Sequence, residues 1–116
     1  MTNFIDLDYL NEISDGDDDF LHELLESFLN QTPLMIMELQ TFINLGDWEN
    51  VAKHAHKLKP TFEYVGLHGV RDKMAEIEAI VKSGGDKKQI SLLFSGSLTI
   101  INPALSEIKT TLDNLK

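Results

Sequence analysis

Residues 48–65 read WENVAKHAHKLKPTFEYV, and this stretch decides the fold class. Its apolar residues recur in steps of four and three, at Val51, Ala55, Leu58, Phe62 and Val65. Because an α-helix completes a turn every 3.6 residues, these side chains share one face. A half-buried strand would instead alternate apolar and polar residues, which this stretch does not do. The pattern predicts an amphipathic helix with one face in a core.

Three further long segments carry the same helical period. They cover residues 17–45, 67–82 and 87–115, and a short helix is expected over residues 6–12. Gly46-Asp47 and residues 83–86 separate the long segments, and these residue types end one helix and cap the next. Short connections between long amphipathic helices require antiparallel neighbours. The sequence therefore predicts an all-α fold, an antiparallel up-down-up-down four-helix bundle with a short N-terminal helix, in a single domain over residues 1–116.

Local sequence adds three expectations about these helices. Ser14 or Asp15 is suited to cap the start of the 17–45 helix, since short polar side chains accept hydrogen bonds from free backbone N–H groups. Pro33 lies within that helix and predicts either a kink or two abutting helices. Pro103 lies off the apolar stripe of the last helix and predicts a bend there.

The composition limits the classes of function. The chain has 116 residues, no cysteine and a formal net charge of -9. The absence of cysteine excludes disulfides, cysteine-zinc sites and cysteine nucleophiles. Nucleic acid and an anionic membrane surface are unfavourable partners, because binding them requires clustered positive charge. Without a long apolar run or a basic-then-apolar N-terminus, we expect a cytoplasmic protein, and we expect it to be a monomer.

His56 stands out on the predicted 48–65 helix. Its register places the imidazole about 130° from the centre of the apolar stripe, on the solvent side. Lys53, Lys57 and Lys59 surround it, and no acidic residue occurs between Asn50 and Phe62. One interpretation is that these lysines only keep an exposed face soluble. The other is that a histidine among lysines handles an anion such as phosphate.

Metal chelation by the pair His54 and His56 is unfavourable. Residues two apart on a helix are separated by about 200° around its axis, so their imidazoles cannot coordinate the same ion. We therefore predict no metal site in the chain.

The string Ala55-His56-Lys57-Leu58-Lys59, with Val65-Gly66 after it, resembles the signature of the histidine-containing phosphotransfer domain of two-component phosphorelay signalling. That signature runs alanine, histidine, any residue, leucine, lysine, glycine, two small residues, an aliphatic residue and glycine. The resemblance covers almost the whole chain. Further matches lie outside the signature, at Gly46-Asp47, Phe28, Thr32-Pro33 and Ile77-Glu78. The family fold is a four-helix bundle, as the periodicity predicts independently.

The resemblance implies a function and roles for individual residues. His56 would accept a phosphoryl group from the aspartate of a response-regulator receiver domain and pass it to another receiver. Lys59 would support the phosphoryl group, and Gly66 would be structural, ending the helix and allowing close approach. The residues expected to dock the partner are Lys53, Lys57, Pro60 and Glu63.

The resemblance also implies what the chain lacks and with which proteins it works. The chain would have no cofactor of its own and no autonomous kinase activity, because the partner receiver domain would supply the divalent metal and the acidic acceptor site. Expected partners are response-regulator receiver domains and a hybrid histidine kinase.

Two positions depart from the signature, and they leave a second function open. Pro60 replaces the glycine one turn after His56, and it should kink the helix and free the His56 carbonyl. Phe62 replaces a small residue but falls on the core stripe. The alternative function is therefore a non-catalytic four-helix interaction module that docks a response-regulator-like partner without phosphotransfer.

Overall fold

The computed structural model describes residues 4–115, and its regular elements within that range are five α-helices. These are α1 (Leu7–Ser14), α2 (Asp18–Leu45), α3 (Trp48–Tyr64), α4 (His68–Ser83) and α5 (Lys88–Asn114). The all-α prediction is confirmed, and each predicted boundary lies within two residues of the observed one. The predicted single domain also includes residues 1–3 and 116, which lie outside the described range.

The four long helices form a closed ring around one core. α3 packs between α2 and α4, and α5 closes the ring by contacting both α4 and α2, while α1 packs on α2. The connections at 46–47, 65–67 and 84–87 are short, so successive helices run in opposite directions. The apolar stripes predicted from sequence supply the core, whose largest fully buried members include Leu25, Leu39, Leu58, Phe62, Met74, Ile77, Ile90, Ile101 and Ile108.

One local prediction about α2 is wrong, and one of the two alternatives predicted at Pro33 is excluded. Asp17, rather than Ser14 or Asp15, caps the helix, and its carboxylate accepts from the backbone N–H of Phe20 at 3.1 Å. Asp15 instead ends α1 with a left-handed backbone. Nor is α2 two abutting helices, because it continues through Pro33 to Leu45. Proline removes one backbone hydrogen bond, whereas burial of neighbouring turns on both sides keeps the helix in place.

The segment before α1 is held against α5 and against the end of α3. Ile5 is buried, and the carboxylate of Glu107 on α5 accepts from the backbone N–H groups of Phe4 and Ile5 at 3.1 and 2.8 Å. Asp6 caps α1 and passes directly over Gly66, the residue after the α3 C-cap. Gly66 has φ +75°, and a Cβ built there would lie 2.7 Å from the backbone nitrogen of Asp6. Only glycine fits both the backbone conformation and the close approach.

Gly66→Ala is therefore expected to lower the free energy of unfolding by about 2–4 kcal/mol, from left-handed strain plus displacement of the N-terminal segment. Urea unfolding followed by circular dichroism measures the effect. Gly69→Ala is the matched control, because a Cβ there meets nothing within 4 Å and the residue lies in α4. The control should change stability by no more than about 1 kcal/mol. Equal stability of the two variants would contradict the close-approach argument.

Candidate functional site

α3 presents His56 to solvent, as the helical register predicts. Val51, Ala55, Leu58 and Phe62 on the same helix are completely buried, whereas the His56 side chain is 66% exposed. The bulk of Phe62 thus lies in the core, where its ring packs edge-on against Phe28. Phe62 stands where the family signature has a small residue, but its buried ring adds no bulk to the surface around His56.

The carboxylate of Glu78, on α4, contacts one nitrogen of the His56 imidazole. Its Oε2 atom lies 2.9 Å from Nδ1 of His56, and its side chain is only 9% exposed. A ring nitrogen with a bare lone pair would be repelled by a carboxylate at this distance, so we assign the proton to Nδ1. Nε2 then carries the free lone pair. The arrangement orients an exposed imidazole and leaves one nitrogen available as a nucleophile.

Two lysines complete the surroundings of the Glu78 carboxylate. Lys59 Nζ donates to Oε1 at 2.6 Å, and Lys82 Nζ lies 2.9 Å from Oε2. These contacts lower the pKa of Glu78 from 4.5 to about 2, with the hydrogen bond from Lys59 the largest cause and that from Lys82 a further one. Glu78 is thus a permanent anion at neutral pH, shared by three basic side chains.

This geometry bears on the role predicted for Lys59. Its side chain is 29% exposed and its ammonium is directed at Glu78. Lys59 therefore orients the carboxylate that orients His56, and direct support of a phosphoryl group by Lys59 stays a prediction. Lys82 is 68% exposed and lies one turn after Glu78 on α4. Its ammonium has more freedom to move than that of Lys59.

The residues predicted to dock a partner do not all lie together. Lys53, Lys57 and Pro60 are exposed on α3 near His56, and Lys53 pairs with Glu49 at 3.4 Å. Glu63 is instead engaged two turns away, where it contacts His68 at 3.0 Å and Arg71. Its pKa is lowered, chiefly by the hydrogen bond with His68. Glu63 belongs to an ion-pair cluster at the α3–α4 corner.

Pro60 lies within α3, which continues without a break to Tyr64. Its missing N–H leaves the His56 carbonyl without the usual donor one turn on. The side chain is exposed and short, so it adds little bulk beside the imidazole.

The two histidines of the His54-x-His56 pair have separate surroundings. His54 Nδ1 lies 3.0 Å from the Asn50 carbonyl, and its Nε2 lies 3.4 Å from Glu38 on α2. Across residues 4–115, His, Asp and Glu side chains form no group of three that could hold a metal ion. Within the same range, no helix is both long and apolar enough to cross a bilayer.

Sequence reasoning missed the role of Glu78. It appears in the resemblance only beside Ile77, with no function attached. A local signal was present, because Glu78 follows a residue of the apolar stripe and precedes Lys82 by one turn. An acidic residue at the edge of a buried stripe is costly unless it is paired. The signal indicates a paired carboxylate, but it does not indicate that His56 is one of the partners.

Fold and site together define a class of protein, a four-helix bundle that displays an oriented histidine on one helix. Comparison with known sequences gives the family. The Hpt domain family matches residues 23–116, and the chain belongs to it.

One curated protein and one solved structure are similar to this chain. The chain is 30% identical over 82 residues to phosphorelay intermediate protein rdeA of Dictyostelium discoideum. The matched region covers 71% of this chain and 32% of that protein. It therefore spans about a third of that relative's length. The crystal structure of the HPT domain from the Hpt sensor hybrid histidine kinase of Shewanella has a TM-score of 0.84 over 96% of this chain and 95% of that one. At 19% identity, this likeness shows the fold alone.

Proposed function

We propose that this protein is a phosphorelay intermediate that accepts a phosphoryl group on His56 from a receiver-domain aspartate and passes it to another receiver. The observation that carries the proposal is the contact of 2.9 Å between His56 Nδ1 and Glu78 on an otherwise exposed imidazole. Such a contact leaves the Nε2 lone pair free on an exposed side chain. Nothing favours the alternative of a docking module without phosphotransfer.

Nε2 is the atom that attacks the phosphorus of the aspartyl phosphate. As the N–P bond forms, positive charge develops on the ring, and the Glu78 carboxylate stabilises it through Nδ1–H. Phosphoryl transfer needs positioning and charge stabilisation more than a deep pocket. Transfer to the next receiver reverses these events, with an aspartate oxygen replacing Nε2 on phosphorus.

The partner supplies what this surface lacks. A receiver domain brings the acceptor aspartate and a divalent metal, so the chain works as a phosphotransfer protein without a cofactor or kinase activity of its own. Lys53 and Lys57 attract the acidic mouth of the receiver. We place the reaction in the cytoplasm, with a hybrid histidine kinase as a further partner and the bundle acting as a monomer.

Transfer from a phosphorylated receiver tests this function. The full chain is mixed with cognate receivers that have been phosphorylated and separated from their donor, and the phosphoryl group is followed on both proteins. We expect it to move to this chain as an acid-labile, alkali-stable modification located on His56. Complex formation with receivers but no transfer from any of them would establish the docking module instead.

A further inference from the structure

A cavity of about 440 Å³ opens beside His56 between α3 and α4. Its lining consists of Ala52, Lys53, His56, Lys57, Glu78 and Lys82. This volume is at the lower end of the range for ordinary small-molecule sites. Three of the six lining residues are lysines, in a chain whose net charge is -9. The cavity therefore combines a candidate nucleophile with concentrated positive charge.

The lysines of the cavity are free to change partners. Lys82 contacts Glu78 at 2.9 Å and Lys53 contacts Glu49 at 3.4 Å, but both ammonium groups lie on mostly exposed side chains. The Lys53–Glu49 pair is exposed on both sides and contributes little free energy, so a dianion entering the cavity can take over Lys53. Lys82 turns to the dianion in exchange for its contact with Glu78, whose side chain is buried. Glu78 keeps its Lys59 partner when Lys82 moves, because Lys59 binds the other carboxylate oxygen. Three lysines can thus gather around a ligand without leaving the buried carboxylate unpaired.

We propose that this cavity binds the phosphoryl group of a small, free acyl phosphate, and that His56 takes the group directly without a receiver domain. The inference rests on the proposed function of His56. An aspartyl phosphate is itself an acyl phosphate, so a small acyl phosphate carries the same reacting group. A free acyl phosphate arrives without the divalent metal that a receiver domain would bring. Lys53, Lys57 and Lys82 supply the positive charge in its place.

The reaction balances without any further reactant. The Nε2 lone pair of His56 attacks phosphorus, the N–P bond forms, and the bond from phosphorus to the acyl oxygen breaks. The carboxylate leaves with that electron pair. The Nδ1 proton stays on the ring against Glu78, which offsets the positive charge of the phosphorylated imidazole, and it is later lost to water.

The experiment incubates the full chain with acetyl phosphate and no receiver, and measures phosphohistidine by intact mass, acid lability and peptide mapping. We expect saturable labelling of His56, competed by inorganic phosphate. His22 is an internal reference, because it is partly exposed but outside the cavity, and it should be labelled far more slowly. Lys82→Ala should slow labelling about tenfold, since a positioned cation stabilises the transferring phosphoryl group. Lys109→Ala removes an exposed charge on α5 and should have no effect.

The outcomes separate this inference from the proposed function. Labelling by a phosphorylated receiver but not by acetyl phosphate overturns the inference and leaves the phosphorelay function standing. Labelling by acetyl phosphate at equal rates in Lys82→Ala and the unsubstituted chain, or equally on His22 and His56, also overturns it. Absence of labelling by both donors contradicts the proposed function itself.

Discussion

Replacing His56 with glutamine is expected to abolish phosphoryl transfer from a receiver domain while leaving the bundle folded. Glutamine has no nucleophilic ring nitrogen, and the histidine side chain is 66% exposed, so little packing is lost. The change in free energy of unfolding should be within about 1 kcal/mol, as for most exposed substitutions. Radiolabel transfer and circular dichroism measure the two properties on the same preparation.

His22→Gln provides the matched control for this substitution. His22 is a partly exposed histidine on α2 whose nearest charged partner is Glu26, and it lies outside the cavity beside His56. Transfer to the control should equal transfer to the unsubstituted chain. Labelling that survives in His56→Gln would show that another residue carries the phosphoryl group.

Glu78→Gln is expected to slow phosphoryl transfer about 10–100-fold, the usual cost of losing a group that orients a functional histidine. The neutral amide no longer offsets positive charge on the ring. It can also turn its NH₂ group toward Nδ1, which selects the tautomer whose Nε2 carries a proton. Single-turnover transfer from a phosphorylated receiver measures the rate. An unchanged rate would mean that Glu78 has only a structural role.

The same substitution should change how stability depends on pH. The pKa of Glu78 is lowered from 4.5 to about 2 in the folded protein. The ionised carboxylate therefore stabilises the fold fully above about pH 4.5, and this contribution is lost as the pH falls through 2. The difference in pKa corresponds to roughly 3 kcal/mol. Urea unfolding at pH 7 and pH 3 should show a smaller loss on acidification for Glu78→Gln than for the unsubstituted chain.

Glu76→Gln is the control for the pH experiment, because Glu76 is an exposed acidic residue on the same helix. Its substitution should leave the acid dependence of stability nearly unchanged. If Glu78→Gln behaves like Glu76→Gln, the contacts with Lys59 and Lys82 contribute no net stability to the fold.

Several features of the site were predictable because they depend on one helix at a time. The spacing from Val51 to Phe62 determines which face of α3 is buried, and this face determines that His56 points to solvent. The same periodicity separates His54 from His56. The mistaken N-cap also has a local cause: the cap of α2 lies at Asp17 because Asp15 ends α1.

The features that were not predicted depend on how two helices are aligned. Glu78 meets His56 and Lys59 only because α3 and α4 pack side by side with one particular axial offset. The period of each helix says which residues face inward, but it does not say which atoms lie opposite each other across the interface. Glu63 is a related case, since the turn after α3 brings His68 and Arg71 of α4 to its carboxylate.

The sequence by itself determined the four long helices, their core faces, the exposure of His56 and the family resemblance, because short-range periodicity and a local motif carry that information. Only the tertiary structure decided which ring nitrogen of His56 is free and that the Lys59 ammonium donates to Glu78. It also decided that Gly66 lies under the backbone of Asp6. Those facts are distances of a few ångströms between segments far apart in the chain. Packing of the whole bundle sets them.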